Sequence, residues 1–249
     1  MRLPQIGEYM NSKGGFSLIK EQERELFKRW RNEQNYPNFM ADGLFDEETW
    51  NGQHIKILFV LKEANWPDGD IDLCEYLLSE PEHSGYWKTW NNITRWTQAI
   101  RTGGDYPQTI TKADKTACLK TIAALNIKKV GGGARAKDEE IRRYGKKDAK
   151  FIKEQIELYQ PDIIICCGRG TGKNADILHE YVYKGQVSEW KEPIIKHNYF
   201  MCTLNTGKQI PVVSFRHPQI IGGHKAWAKS FANMVDLAKG LKERNQLKK

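Results

Sequence analysis

The stretch that decides the fold is "HIKILFVLKEANW", His54 to Trp66. From Ile55 to Leu61 only Lys56 interrupts a run of branched and aromatic side chains, and the chain then turns polar at Lys62 and Glu63. A run this short and this apolar has no face to show to water, so it reads as a strand covered on both sides. A second run, "PDIIICCG" (Pro161 to Gly168), repeats the pattern. Amphipathic helices are expected over Leu18–Asn32 (Leu18, Leu26 and Trp30 near helical spacing), Gly85–Ile100, Ala113–Leu125, Asp138–Tyr159 and from His224 onward. "YFMCTLNTGKQIPVVSF" (Tyr199 to Phe215) reads as a hairpin around Asn205-Thr206-Gly207. Buried strands alternating with helices imply an α/β fold, a three-layer sandwich with a central, mostly parallel sheet flanked by helices. The expected organisation is one domain over 1–249, with 1–50 as a helical N-terminal extension packed on it. "VGGGARAKDEE" (Val130 to Glu140) reads as a mobile loop inside that domain and not as a linker.

The totals bound the function. Of the 249 residues, 39% are hydrophobic and 28% charged, the composition of an ordinary soluble globular protein. No stretch approaches the roughly 18 apolar residues of a membrane helix. The start, "MRLPQIGEYMNSKGG", lacks the apolar core of a secretory segment. Five cysteines, an odd number without CxxC spacing, argue against a disulfide framework, a zinc ribbon or an iron–sulfur cluster. A reducing cytoplasm is the expected compartment, and no metal or cofactor is expected. The net charge is +8, and Lys112 to Lys153 alone holds 13 Lys/Arg against 5 Asp/Glu. Such a block attracts phosphate, or forms a solvated lysine-rich helix face.

In an open parallel sheet, ligands bind beyond the carboxyl ends of the strands. The loops after Leu61, Leu125, Gly168 and Phe215 are therefore the places to search. After Leu61 come Lys62, Glu63, Asn65 and Trp66, with Asp68 and Asp70 further on. A carboxylate there can activate a water or stabilise positive charge on a sugar ring; a surface Glu paired with Lys is the plainer alternative. Asn126, after apolar residues and before a basic glycine-rich loop, carries an amide able to donate and accept at a base edge, or serves as a turn residue. "GYWKTWNNITRW" carries four aromatics, of which Tyr86 and Trp87 are candidates to stack on a flat ligand, against the usual core role. "CGRGTGKN" (Cys167 to Asn174) departs from a phosphate loop. Only three residues separate Gly168 from Gly172, and Asn174 stands where a magnesium-binding hydroxyl is needed. Gly168 and Arg169 read instead as a tight turn touching a nucleic-acid phosphate. Finally, "FRHPQIIGGH" sets Ile220 and Ile221 in a turn beside His217, an odd place for core residues.

The ordered set "VLKEANW", "AALNIKK", "PDIIICCG" and "RHPQIIGGH", from about Ile55 to the end, resembles the uracil-DNA glycosylase superfamily. The resemblance implies Glu63 as the water-activating acid, fitting either of two adjacent positions of the first motif. It implies Asn126 as the base-edge amide and His217 as donor to the base oxygen in the transition state. Ile221, with Ile220 next, would be the wedge that fills the space of the flipped base. Lys128, Lys129, Arg135, Arg216, Gln219, Gly222, Gly223 and His224 would lie along the DNA, the glycines letting backbone N–H groups approach phosphates. Lys62 is foreign to a pocket built for uracil, and Gln219 replaces the serine after His-Pro. A polar pocket floor of Lys62, Asn65 and Trp66 suits a larger base than uracil, such as a hydroxymethylated or glucosylated phage cytosine. The expected function is therefore a monomeric, monofunctional DNA glycosylase acting on duplex or single-stranded DNA, in repair or phage defence. Uracil excision in base-excision repair, a base-reading module without catalysis, and a nucleotide-binding enzyme built on Gly168–Asn174 stand as alternatives.

Overall fold

The computed structural model describes residues 18–66, 69–79, 88–133, 136–168 and 173–248. Strands β1 (Met40–Ala41) and β4 (Ile71–Asp72) form a small parallel pair. The main sheet has seven strands, in the order β2 (Gly43–Leu44), β5 (Ala123–Asn126), β3 (Ile57–Leu61), β6 (Ile163–Cys167), β9 (Gln209–Phe215), β8 (His197–Thr203), β7 (Lys191–Ile194). The central four, β5-β3-β6-β9, run parallel, while β2, β8 and β7 add antiparallel edges. Every residue of β3, β5 and β6 is buried, the condition that an all-apolar strand requires.

Helices cover both faces, and side-chain alternation along the strands divides the core in two. Leu58, Val60, Leu125, Ile164, Cys166 and Val212 pack with α1 (Ile19–Gln34), α6 (Asp138–Lys147), α7 (Ala149–Tyr159) and α8 (Asn174–Ile177). Phe59, Leu61, Ile165, Cys167, Val213 and Phe215 pack with α3 (Leu73–Ser79), α4 (Lys88–Arg101), α5 (Lys112–Lys120) and α9 (Gly223–Glu243). A short α2 (Glu47–Asn51) precedes β3. All five cysteines are free, and the adjacent Cys166 and Cys167 face opposite cores. Among the described residues, no helix is long and apolar enough to cross a membrane.

Several boundaries differ from expectation. The helix expected over Ala113–Leu125 stops at Lys120, and Ala123–Asn126 is β5. Thr111 and Asp114 close a capping box that starts this helix, but pairing with β3 and burial between two strands override helix propensity at its end. The helix expected over Asp138–Tyr159 breaks at Asp148, which is buried and accepts a hydrogen bond from the Tyr36 hydroxyl at 2.7 Å. From residue 18 on, the N-terminal region is integral and not appended. Leu26, Phe27 and Trp30 of α1 sit in the core, and β2 forms one sheet edge.

Candidate active site

The parallel strands are visited in the order β3, β5, β6, β9, so the chain moves to one side of β3 and then returns to the other. That reversal places the switch point of the sheet between β3 and β6, where carboxyl-end loops part and leave a crevice. Lys62 and Glu63 leave β3 there and Gly168 leaves β6, with Asn126 ending β5 and Arg216 and His217 leaving β9. Asn174, fully buried, donates its amide to Val60 O at 3.0 Å and Cys167 O at 2.8 Å. It clasps β3 to β6, a structural use of the position where a phosphate loop needs a hydroxyl.

Lys62 Nζ donates to Asp138 Oδ1 at 2.6 Å, and Lys173 pairs with the same carboxylate. Two cations thus share the Asp138 carboxylate at the switch point. Burial pushes the Lys62 pKa below the ordinary lysine value, with the neighbouring Glu63 charge partly offsetting it.

Glu63 is held more tightly. Its carboxylate accepts a hydrogen bond from Lys128 Nζ at 2.8 Å, and the two side chains are only 6% and 7% exposed. Lys128 also meets Glu140 Oε1 at 2.9 Å and lies over the Tyr144 ring. Burial opposes its charge, but hydrogen bonds with Glu63 and Glu140 outweigh it and hold its pKa above the usual lysine value. The glycine-rich loop supplies the seat. Gly132 donates its N–H to Ala64 O at 3.0 Å and bridges to Asn65, and a β-carbon on Gly132 would overlap the Glu63 carboxyl group. A β-carbon on Gly131 would strike the Trp66 carbonyl in the same way. Trp66 itself stands edge-on to Tyr76, ring centroids 5.2 Å apart.

His217 follows β9. Its Nδ1 accepts the Gln219 backbone N–H at 3.2 Å, so the neutral ring carries its proton on Nε2. The residue is exposed, yet partial desolvation of the ring lowers its pKa, and the Lys62 charge lowers it further. A neutral imidazole with its proton on Nε2 is a hydrogen-bond donor near neutral pH. Pro218 is buried and Ile220 packs partly into the core, whereas Ile221 is 96% exposed. Gly222 and Gly223 follow at φ 117° and 65°, a left-handed backbone that side chains disfavour. Gln219 and His224 are exposed, and the His224 ring lies 3.3 Å from the Tyr106 hydroxyl.

No family model, curated protein or solved structure matches the chain.

The structure brings Lys62, Glu63, Gly168, Arg216 and His217 to one edge of the sheet, but it corrects three expected contacts. Lys129 is 0% exposed and paired with Asp42 under the rings of Phe27 and Trp30, so it reaches no phosphate. Lys128 is spent on Glu63 and Glu140. Asn126 is 1% exposed, and its amide donates to Asp42 Oδ2 at 3.2 Å, so its Nδ2 is turned to the interior and not to a base. All three follow from Asp42, Glu63 and Glu140, carboxylates whose pairing with this segment no local pattern announces. Tyr86, Trp87, Arg135, Arg169 and Asp68 lie outside the described residues. Asp138, Glu140, Lys173 and the seating glycines 131 and 132 were missed. The one available signal was the VGGG run itself, because consecutive glycines mark close backbone approach. Among the described residues, no group of three His, Cys, Asp or Glu side chains is placed to hold a metal ion.

Proposed function

We propose that this chain is a monofunctional DNA glycosylase of the uracil-DNA glycosylase type, which flips a modified pyrimidine from DNA and hydrolyses its N-glycosidic bond. The observation that carries this reading is Ile221, 96% exposed, four residues after an imidazole fixed as an Nε2–H donor. A large aliphatic side chain left in water at a turn beside that donor suits a wedge that enters the base stack. In the proposed reaction, water attacks C1′ and loses a proton to Glu63. The C1′–N bond breaks with its electron pair passing to the base, and His217 Nε2–H stabilises the charge that collects on the base oxygen. A preorganised donor of this kind contributes on the order of 10²–10³ in rate.

The substrate is proposed to be a modified cytosine rather than uracil, a hydroxymethylated or glucosylated phage base in the first instance. Support comes from the charged group Lys62–Asp138–Lys173 at the carboxyl end of the sheet, whose donors and acceptors suit the hydroxyls of a substituent better than a small unsubstituted base. The chain is proposed to act as a monomer in phage defence. A second reading, a base-reading module without catalysis, is favoured by one observation, the engagement of Glu63 with Lys128 in a nearly closed site.

The test is excision on end-labelled duplexes carrying uracil, hypoxanthine, hydroxymethylcytosine or its glucosylated form, with hot alkali revealing abasic sites. Breakage with one base, abolished by Glu63→Gln while DNA binding persists, is the expected result. Firm binding to one duplex with no breakage anywhere sinks the catalytic reading in favour of the second.

A further inference from the structure

The loop from His217 to Ile221 is pinned at two carbonyls by two side chains that the proposed chemistry does not use. Asn92 of α4, buried to 1% exposure, donates Nδ2–H to Pro218 O at 2.7 Å. Trp227 of α9 donates its indole N–H to Ile220 O at 3.0 Å. The first bond grips the loop one residue after His217, and the second one residue before Ile221. Between them the loop carries its own turn, Ile220 N–H to Pro218 O at 2.9 Å.

Both donors meet at Arg95. Its guanidinium donates to Asn92 Oδ1 at 3.4 Å, which fixes the amide with Nδ2 toward the loop. The same guanidinium lies over the rings of Trp227 and Tyr106, 5.4 and 5.1 Å from their centroids. Its remaining donors go to Pro107 O at 3.0 Å and Gln108 O at 2.9 Å. Burial lowers the Arg95 pKa, and among the described residues its hydrogen-bond acceptors are carbonyl and amide oxygens. Placing a cation in such a site is costly for stability, so its presence calls for a use. A rigid planar fork that orders several acceptors at once is what arginine offers over other cations.

We propose that Asn92 and Trp227 are positioning residues with separate tasks: Asn92 sets the His217 imidazole, Trp227 sets the Ile221 wedge, and Arg95 fixes both. The assignment rests on the glycosylase reading of the loop. Asn92→Asp removes the donor to Pro218 O but gives Arg95 a carboxylate, so the fold is retained. Trp227→Phe removes the donor to Ile220 O and keeps a ring under Arg95.

The test compares both variants with the parent chain on the base it excises, in single-stranded and duplex oligonucleotides, and reads the His217 tautomer by ¹⁵N NMR of histidine-labelled protein. Asn92→Asp is expected to lower kcat about tenfold on both substrates, because Pro218 O keeps only the Ile220 N–H and faces a carboxylate where the amide donor was, and to shift the tautomer balance. Trp227→Phe is expected to lower duplex excision alone, with the tautomer unchanged. Equal losses from both variants on both substrates, or a tautomer unmoved by Asn92→Asp, overturn the assignment. If the parent excises no base, the glycosylase reading fails, and the tautomer shift alone decides whether Asn92 holds His217.

Discussion

Gly132→Ala isolates the Glu63 carboxylate without touching the residue itself. The backbone at Gly132 is not left-handed, so alanine fits its φ and ψ. What it does not fit is the space, because the new methyl group lands on the carboxyl carbon and both oxygens of Glu63. The obstacle is the end of a flexible side chain, so the carboxylate yields before the backbone does. To restore ordinary van der Waals separation it must retreat by about 1 Å or more. That movement breaks the 2.8 Å bond to Lys128. A displacement of ~1 Å in a reacting group costs on the order of a hundredfold in rate. Lys128 keeps Glu140, so the loss of stability is smaller than for a buried ion left alone, about 1–3 kcal/mol. For a chain of this size that lowers Tm by roughly 2–4 °C per kcal/mol. The assay is single-turnover excision from a labelled duplex, with a thermal melt of the same sample. Gly133→Ala is the control, since a β-carbon there meets nothing within 4 Å. Excision by Gly132→Ala within about threefold of the parent refutes the placement of Glu63 at the reacting centre.

Three further outcomes follow from the same geometry. Ile221→Ala should weaken excision from duplex DNA more than from single strands, with Tm unchanged because the side chain is 96% exposed; equal losses on both would remove the wedge. Lys129→Met leaves Asp42 buried without its cation and should cost about 3–5 kcal/mol in a denaturant melt, while the salt dependence of DNA binding stays as it was. A shallower salt slope with full stability would put Lys129 on a phosphate after all. The His217 pKa is depressed in the fold, so the stability it contributes is present above the ordinary histidine value of 6.5 and is lost as pH falls below it. Excision should therefore hold to below that pH, and Lys62→Met should move the acid limb part of the way back up, burial being the larger cause. An acid limb that ignores Lys62 would separate the two side chains.

The parts of the fold that could be read from the sequence are those whose burial is written in every residue. "ILFVL" and "IIICC" have no polar position to hide, so both strands and the helices that cover them follow. β5 could not be read so: "AALN" is four residues long, directly follows a helix, and takes its conformation from β3 and β2. Within the basic block the sequence could not say which lysines face outward, because a count of lysines has no direction. Lys115, Lys128 and Lys129 all turn inward, the last two toward carboxylates 65 and 87 residues away. The His217 loop stood out because isoleucines in a glycine turn obey no core periodicity. Asn92 and Arg95 did not, since a polar residue on an amphipathic helix reads as solvent-facing until the carbonyl that it meets is known.

The pairing of Asp42 with Lys129 and Asn126 also sets an order in time. Asp42 leaves the ribosome 84 residues ahead of the backbone N–H of Asn126 that it will receive. At ordinary rates of synthesis that delay is on the order of ten seconds, during which the edge of the sheet has no partner. Through that interval Phe27, Trp30 and Leu44 are apolar surface waiting for a sheet to cover. The nascent chain thus passes through a window of exposure to chaperones and to aggregation that begins to close when Ala123–Asn126 emerges and ends only after Phe151, the ring on which Trp30 stacks.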